Sequence, residues 1–329
     1  MKKSLLAFAV LNVFAGGAYA QTSITLYGIV DAGIVYERGG ATGNVSKLTS
    51  GVQSGTRLGF KGTEDLGGGL SAKFVLETGI AADTGGFNQN GTAFGRQAYV
   101  GLDGGWGSIT LGRQYTPHYL TLVEIDPFKI GLAGDAQNLM TSTTRMNNTV
   151  KYTTPSWGGF VGELAYGFGE VPGDNTANRQ MGASIGYANG PLVVELAHHS
   201  IDNAAGTDRS KNTLVGGKWD FGVAAAHLGV GINKGVGEID NRDYIVGVSA
   251  PFGASTLLAS YIRKNDRSGL EQDANQWALG YTYAMSKRTN LYTSFARITN
   301  DNGAPYTVGN ASDAGTGDKA FNLGIRHQF

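Results

Sequence analysis

From Ile24 the chain alternates with a period of two. Ile24, Leu26, Gly28, Val30, Ala32, Ile34 and Tyr36 fall on one face, and Thr25, Tyr27, Ile29, Asp31, Gly33, Val35 and Glu37 on the other. Successive strand side chains point to opposite faces, so this stretch predicts a strand with one apolar wall and one mixed wall. The pattern returns at 57–63, where Leu58 and Phe60 oppose Arg57 and Lys61. It returns again at 70–78, where Leu70, Ala72, Phe74 and Leu76 oppose Ser71, Lys73, Val75 and Glu77. Residues 160–168 and 320–329 alternate in the same way, whereas the stretches around Arg263 and Arg297 alternate poorly.

The connections alternate too. Short turns are expected at 66–69, 104–105, 155–159, 190–191, 220–222, 251–254 and 285–288. Longer Gly/Asn/Asp-rich links such as 39–51, 81–93, 170–178 and 299–317 lie between them. Short turns at one rim and long loops at the other, joining about sixteen strands, are the pattern of an outer-membrane barrel. At that size a barrel keeps an aqueous lumen. Trp106, Trp157 and Trp219, with Phe160, Phe221 and Phe252, sit beside short turns. There they would form the aromatic girdle where amphipathic rings bridge lipid and water.

Composition narrows the classes. The chain has 52 Gly among 329 residues, without the three-residue period of collagen, and 41% hydrophobic residues, too many for a disordered chain. High Gly suits strongly curved, closely spaced strands. Zero Cys excludes a disulfide scaffold, Cys-ligated zinc, iron–sulfur clusters and thiol nucleophiles. Balanced charge, with 26 basic and 26 acidic residues, lends no support to a nucleic-acid binder. No segment reaches the ~18 consecutive apolar residues of a membrane helix.

The amino terminus reads as an export segment. Lys2 and Lys3 precede an apolar run from Leu5 to Ala15, and Ala18-Tyr19-Ala20 supplies a small-x-small cleavage pattern. Residues 1–20 are therefore expected to be a cleaved signal peptide. Residues 21–329, beginning at Gln21, then form one transmembrane β-barrel domain in the outer membrane.

Several motifs now resemble a family. Thr25-Leu26-Tyr27-Gly28 is one, and the run from Arg57-Leu58-Gly59-Phe60-Lys61-Gly62 to Gly67 is another. Arg96-Gln97-Ala98-Tyr99-Val100-Gly101-Leu102, Leu111-Gly112-Arg113-Gln114 and the closing Gly324-Ile325-Arg326-His327-Gln328-Phe329 complete the set. Together they are similar to the general bacterial porins, especially the betaproteobacterial and neisserial branch, over essentially the whole mature chain. The resemblance implies a homotrimer of 16-stranded antiparallel barrels, each a water-filled channel for ions and small hydrophilic solutes. It implies an infolded third loop that narrows the lumen, contact with outer-membrane lipid and lipopolysaccharide, and no cofactor. It also implies that the outer-membrane assembly machinery reads the terminal Phe329.

A pore selects by width and by the charges at its narrowest zone. Arg57 and Lys61 are four apart on one strand and share the mixed face, with Gly59 between them. Arg145 shares its face with Asn147, Thr149 and Lys151. Arg113 falls on the apolar parity of Ile109 and Leu111, and the resemblance implies that the strand bends there so that Arg113 reaches the pore. Residues 115–144 form the longest span without alternation. By resemblance this is the infolded loop, with Glu124, Asp126 and Asp135 opposing the basic residues. The chain departs from one anion-selective branch at Gly95, where that branch carries a further Arg. The expectation is therefore weak selectivity, with anions favoured slightly at best.

Enzyme readings are weaker. Gly182-Ala183-Ser184-Ile185-Gly186 matches a nucleophile-elbow string, but it lies inside an alternating stretch and not at a strand-to-helix turn. His198 and His199 are adjacent on a strand and face opposite ways, so they cannot share a metal. His227 is expected in the lumen, and His118 in the long loop has no partner at defined spacing. The leading reading is a trimeric general-diffusion channel. A solute-specific channel for organic anions is the alternative; an outer-membrane barrel enzyme and a pore-less adhesin-like β protein are more distant ones.

Overall fold

The alternating stretches form one closed antiparallel sheet. The computed structural model describes residues 23–329; the expected signal peptide and Gln21 lie outside the described residues. The strand segments are β1 (Ser23–Arg38), β2 (Val45–Ser50), β3 (Arg57–Gly67), β4 (Leu70–Gly79), β5 (Gln97–Gly104) and β6 (Gly107–Tyr115). They continue with β7 (Arg145–Thr153), β8 (Phe160–Gly167), β9 (Gln180–Asn189), β10 (Leu192–Asp202), β11 (Arg209–Asp220) and β12 (Ala225–Gly235). The last are β13 (Ile239–Phe252), β14 (Ser255–Asp266), β15 (Ala274–Ala284), β16 (Thr289–Asn300) and β17 (Lys319–Gln328).

Neighbours in sequence pair in space, and β17 closes onto β1 from Ile29↔Gln328 to Arg38↔Lys319. The 17 segments occupy 16 wall positions. The upper half of β1 pairs with β2 and its lower half with β3, so β2 and β3 are one strand broken by residues 51–56. Asp31 fastens that break. Its Oδ2 accepts the amides of Gln53 (3.0 Å) and Ser54 (2.7 Å), and its Oδ1 accepts the Tyr292 hydroxyl (2.6 Å). The molecule is a 16-stranded antiparallel transmembrane β-barrel. All seven expected short turns join consecutive strands, whereas one opposite-rim connection, 236–238, is shorter than the sequence suggested.

The face assignments hold where alternation is clean. Ile24, Leu26, Val30 and Ile34 are exposed on the outside, while Asp31, Val35 and Glu37 are buried on the opposite face. Trp106, Trp157, Trp219, Phe221 and Phe252 are exposed beside the short turns, as an interfacial girdle requires. Around Arg297 the parity of faces is kept but the chemistry is reversed: Ile298 is buried and Arg297 is exposed, which is why the pattern there is hard to read. An outward apolar band flanked by aromatic rings places the barrel in the outer membrane.

The buried apolar core is local. It lies where residues 116–144 meet the wall. Leu122, Ile125, Phe128, Leu132, Leu139 and Met140 cluster with Leu214, Ile245, Ile262, Ala278, Tyr292 and Ala296 of β11 to β16. The segment opens with α1 (Pro117–Ile125), whose N-cap Thr116 accepts from the Tyr119 amide at 3.0 Å and whose first position is Pro. Such a cap and a leading Pro are helix-start chemistry.

Candidate functional site

Three arginines converge at the long-loop ends of neighbouring strands. Arg57 opens β3 just after the break; its Nε donates to Gly55 O (2.9 Å) and its Nη2 to Ser54 Oγ (2.8 Å). Arg96 precedes β5 and donates to Glu77 Oε1 (2.7 Å) and to the Tyr115 hydroxyl (2.7 Å). Arg145 opens β7. It donates to Arg96 O (2.8 Å) and to Tyr115 Oη (3.4 Å), and its guanidinium lies 4.9 Å from the Tyr115 ring centroid. Tyr115 in turn stacks on Tyr119 of α1 at 5.1 Å.

Arg57, Arg96, Arg145, Lys129, Tyr115 and Tyr119 line one cavity of about 330 Å³. Glu77, the carboxylate paired with this cluster, is itself buried and also accepts the Tyr27 hydroxyl at 3.0 Å. Carbonyl oxygens and a tyrosine ring take up much of the remaining hydrogen-bonding capacity without cancelling charge. The wall of the cavity is therefore positive and its donors are pre-aimed, an arrangement that attracts anions.

The expected residues divide. Arg57 and Arg145 are in the cluster. Lys61 shares their face but sits roughly 13 Å down the strand from Arg57; its ammonium lies 5.4 Å from the Tyr27 ring, and it does not line the cavity. Arg113 does not line it either. The expected bend exists as a register shift between Gly112 and Gln114, with Gly112 at φ +130°, a backbone conformation that needs glycine. Arg113 nonetheless stays in register with Ala98 and spends its guanidinium on Gly95 O (2.7 Å) and Asn147 Oδ1.

The acids depart further from expectation. Glu124 is partly exposed and is held by Lys129 (3.2 Å) and Lys218. Burial works against its charge, but the hydrogen bonds and charges of these lysines outweigh it and keep its carboxyl below the usual range. Asp126 does not face the cavity: it is fully buried and accepts the amides of Phe128 (2.9 Å), Ile130 (2.9 Å) and Ala136 (3.2 Å). Asp135 is also buried and caps a short 3-10 turn through the Gln137 amide at 2.7 Å. Burial pushes Asp126 up to about 6. Burial, together with the Asp126 charge, pushes Asp135 up to about 8. Both acids hold the backbone of their own segment and do not oppose the arginines.

Arg96 is the residue the sequence reading left out. Gly95 marked the place of a missing arginine, and the next residue supplies it. The clue was positional: like Arg57 and Arg145, Arg96 stands where a long link passes into an alternating run.

The other candidates resolve simply. Ser184 lies mid-strand in β9, in register with Glu163 and Ala197. His198 is exposed and His199 fully buried on the opposite face. His227 is buried with Nε2 3.0 Å from Ser249 Oγ. Among the described residues no three His, Asp or Glu side chains converge in a metal-binding group.

Comparison with known proteins places this geometry among channels. Residues 6–303 match the sequence family described as Gram-negative porin. The whole chain is 36% identical to outer membrane porin protein 32 of Delftia acidovorans and 34% identical to an outer membrane porin protein of Bordetella pertussis, each covered over its full length. Among solved structures, an anion-selective porin from Comamonas acidovorans superposes with a TM-score of 0.80 at 32% identity, covering 94% of this chain and 100% of that one.

Proposed function

Because this chain belongs to the Gram-negative porin family, we propose that it forms a water-filled, anion-selective channel whose narrowest zone lies between the arginine cluster and residues 116–144. Channel function and outer-membrane location follow from the family; the selectivity is our reading. The observation that carries it is that Arg57, Arg96 and Arg145 line one cavity, while Glu77, the carboxylate paired with Arg96, is buried and does not line it. The anion-selective porin similar to this chain supports the same direction.

In this reading 116–144 is an infolded loop. Its apolar side chains pack against wall residues from β11 to β16, and the Ala133 amide donates to Ser294 Oγ at 3.0 Å. Small organic anions cross by exchanging water for guanidinium contacts, weak enough individually to release them. We read the functional unit as a homotrimer and residues 1–20 as its removed export signal. Liposome swelling tests the reading. Small carboxylate solutes should enter several-fold faster than cations of equal size, and equal rates would contradict it.

A further inference from the structure

The helix α1 packs on β8 to β12, where Leu122 and Ile125 cluster with the wall residues Leu214 and Ile245. Its wall side is accounted for: His118, Thr121, Leu122 and Ile125 are buried. At 3.6 residues per turn, Tyr119, Leu120, Val123 and Glu124 fall on the opposite arc. A helix that shows one side to water normally carries polar residues there, yet only Glu124 is polar and charged, and Lys129 and Lys218 hold it. Tyr119 and Val123 are half-buried, with their inner edges on the core, and Leu120 is exposed. One exposed leucine is ordinary. An apolar ridge on the side turned away from the wall is not, and in the infolded reading neither lipid nor a second chain reaches it.

Tyr119, Leu120 and Val123 line the same cavity as Arg57, Arg96 and Arg145. Each of the three guanidiniums commits its Nε and Nη2 to protein oxygens, and among the described residues none of the three Nη1 groups has a protein acceptor. Lys129, the other cation of the lining, donates to Glu124. One side of the cavity therefore offers free guanidinium donors, and the other offers branched aliphatic side chains beside a tyrosine. At about 330 Å³ the space is at the small end of the ~300–1,000 Å³ range of ligand pockets, the size for a single ring and not for an extended chain.

Resting on the reading of this cavity as the channel's narrowest zone, we propose that it selects among anions for carboxylates that carry a flat apolar ring, benzoate being the simplest. The carboxylate accepts from the free Nη1 groups, and the ring lies along Tyr119, Leu120 and Val123. Both halves of the solute are needed. An inorganic anion meets the guanidiniums but leaves the ridge wet, and a neutral ring covers the ridge but brings no charge to the guanidiniums. Hydrophobic gain follows the apolar area removed from water, and a rigid ring loses little conformational entropy on binding. The ridge therefore favours a bare ring over a hydroxylated one of the same charge.

The test is planar-bilayer recording in potassium chloride at about pH 8, where carboxyl groups in water are ionised, with benzoate or shikimate added. Shikimate carries the same charge on a ring of similar size that bears hydroxyls. Benzoate should reduce the chloride current at a several-fold lower concentration than shikimate. The readout is the ratio of the two half-blocking concentrations within one protein, so a change in conductance cancels. Leu120→Ser/Val123→Ser should bring the ratio to unity, and Leu120→Gln, at an exposed position, should lower it. Heat-modifiable migration shows that each variant is folded. Arg57→Ser/Arg145→Ser should raise both half-blocking concentrations. Equal concentrations in wild type, no block by either anion, or a wild-type ratio that persists in both ridge variants would overturn the proposal. The zero-current potential in potassium chloride alone reads the channel's anion preference without either solute. A wild type that favours chloride but blocks equally with both rings would therefore sink the aryl preference and leave the anion-selective reading standing.

Discussion

At the scale of single residues, the arginine cluster holds together because its hydrogen-bond demand is met by neutral oxygens. Carbonyls of Gly55 and Arg96 and the hydroxyl of Tyr115 accept from it. Among the described residues only Glu77 brings an opposite charge to the three guanidiniums, and it pairs with Arg96, so a net positive field survives in the cavity. Asp126 and Asp135 show the opposite use of a charged residue: backbone amides occupy them and the cavity does not see them. A carboxyl raised to about 8 in the folded chain, against ~3.9 unfolded, binds more protons when folded across that interval. Its contribution to stability is therefore full below about pH 4 and is lost as pH rises through about 8. Hydrogen-exchange protection of the amides at 136–140, corrected for intrinsic rates, should fall over that window. Asp135→Asn should flatten the dependence, and a flat wild-type profile would refute the assignment. Sequence could have flagged both acids, since Asp126-Pro127 has turn chemistry and an Asp just before a short helical turn is a cap. In a Gly-rich stretch without periodicity, however, a capping acid and a solvent-facing acid look alike.

At the scale of elements, the strands were legible because one face must be apolar along the whole length of a membrane strand. Their turns were legible because Gly, Asn and Asp punctuate them. The break at 51–56 was not. Its fastener, Asp31, obeys the period-two pattern of β1, and nothing local marks it as a ligand for amides from another segment. The docking of α1 was equally hidden, because its partners lie on β8 to β12, far along the chain. Gly229 leaves room for it: a Cβ there would lie 2.5 Å from Ile125 Cδ1. Leu122 and Ile125 are fully buried against this wall. Leu122→Ala should cost about 2–5 kcal/mol of packing, borne mainly by the segment 116–144 and not by the hydrogen-bonded barrel. Limited proteolysis should then cut within that segment while heat-modifiable migration of the barrel is retained. Resistance equal to wild type would show that the helix is held by something else.

At the scale of the whole molecule, Phe329 completes the ring. Phe329 and Gly28 exchange backbone hydrogen bonds at 3.1 Å each way, and the Phe329 ring covers the space a side chain at position 28 would need. Phe329→Ser should lower the yield of heat-modifiable protein several-fold, read from membrane fractions, and wild-type yield would contradict that. The family and barrel were legible from motifs spread over the chain. The third arginine was not, since a one-residue offset between Gly95 and Arg96 is invisible until the strands are placed side by side. The central claim is that this cluster sets the sign of selectivity. It is tested most directly by the zero-current potential of single channels under a salt gradient at low ionic strength, where charges are least screened. Wild type should show a potential favouring anions. Arg57→Ser/Arg145→Ser should move it toward cations, while Asp126→Asn/Asp135→Asn should leave it unchanged. A wild-type potential near zero, or one that the arginine substitutions do not move, would contradict the account.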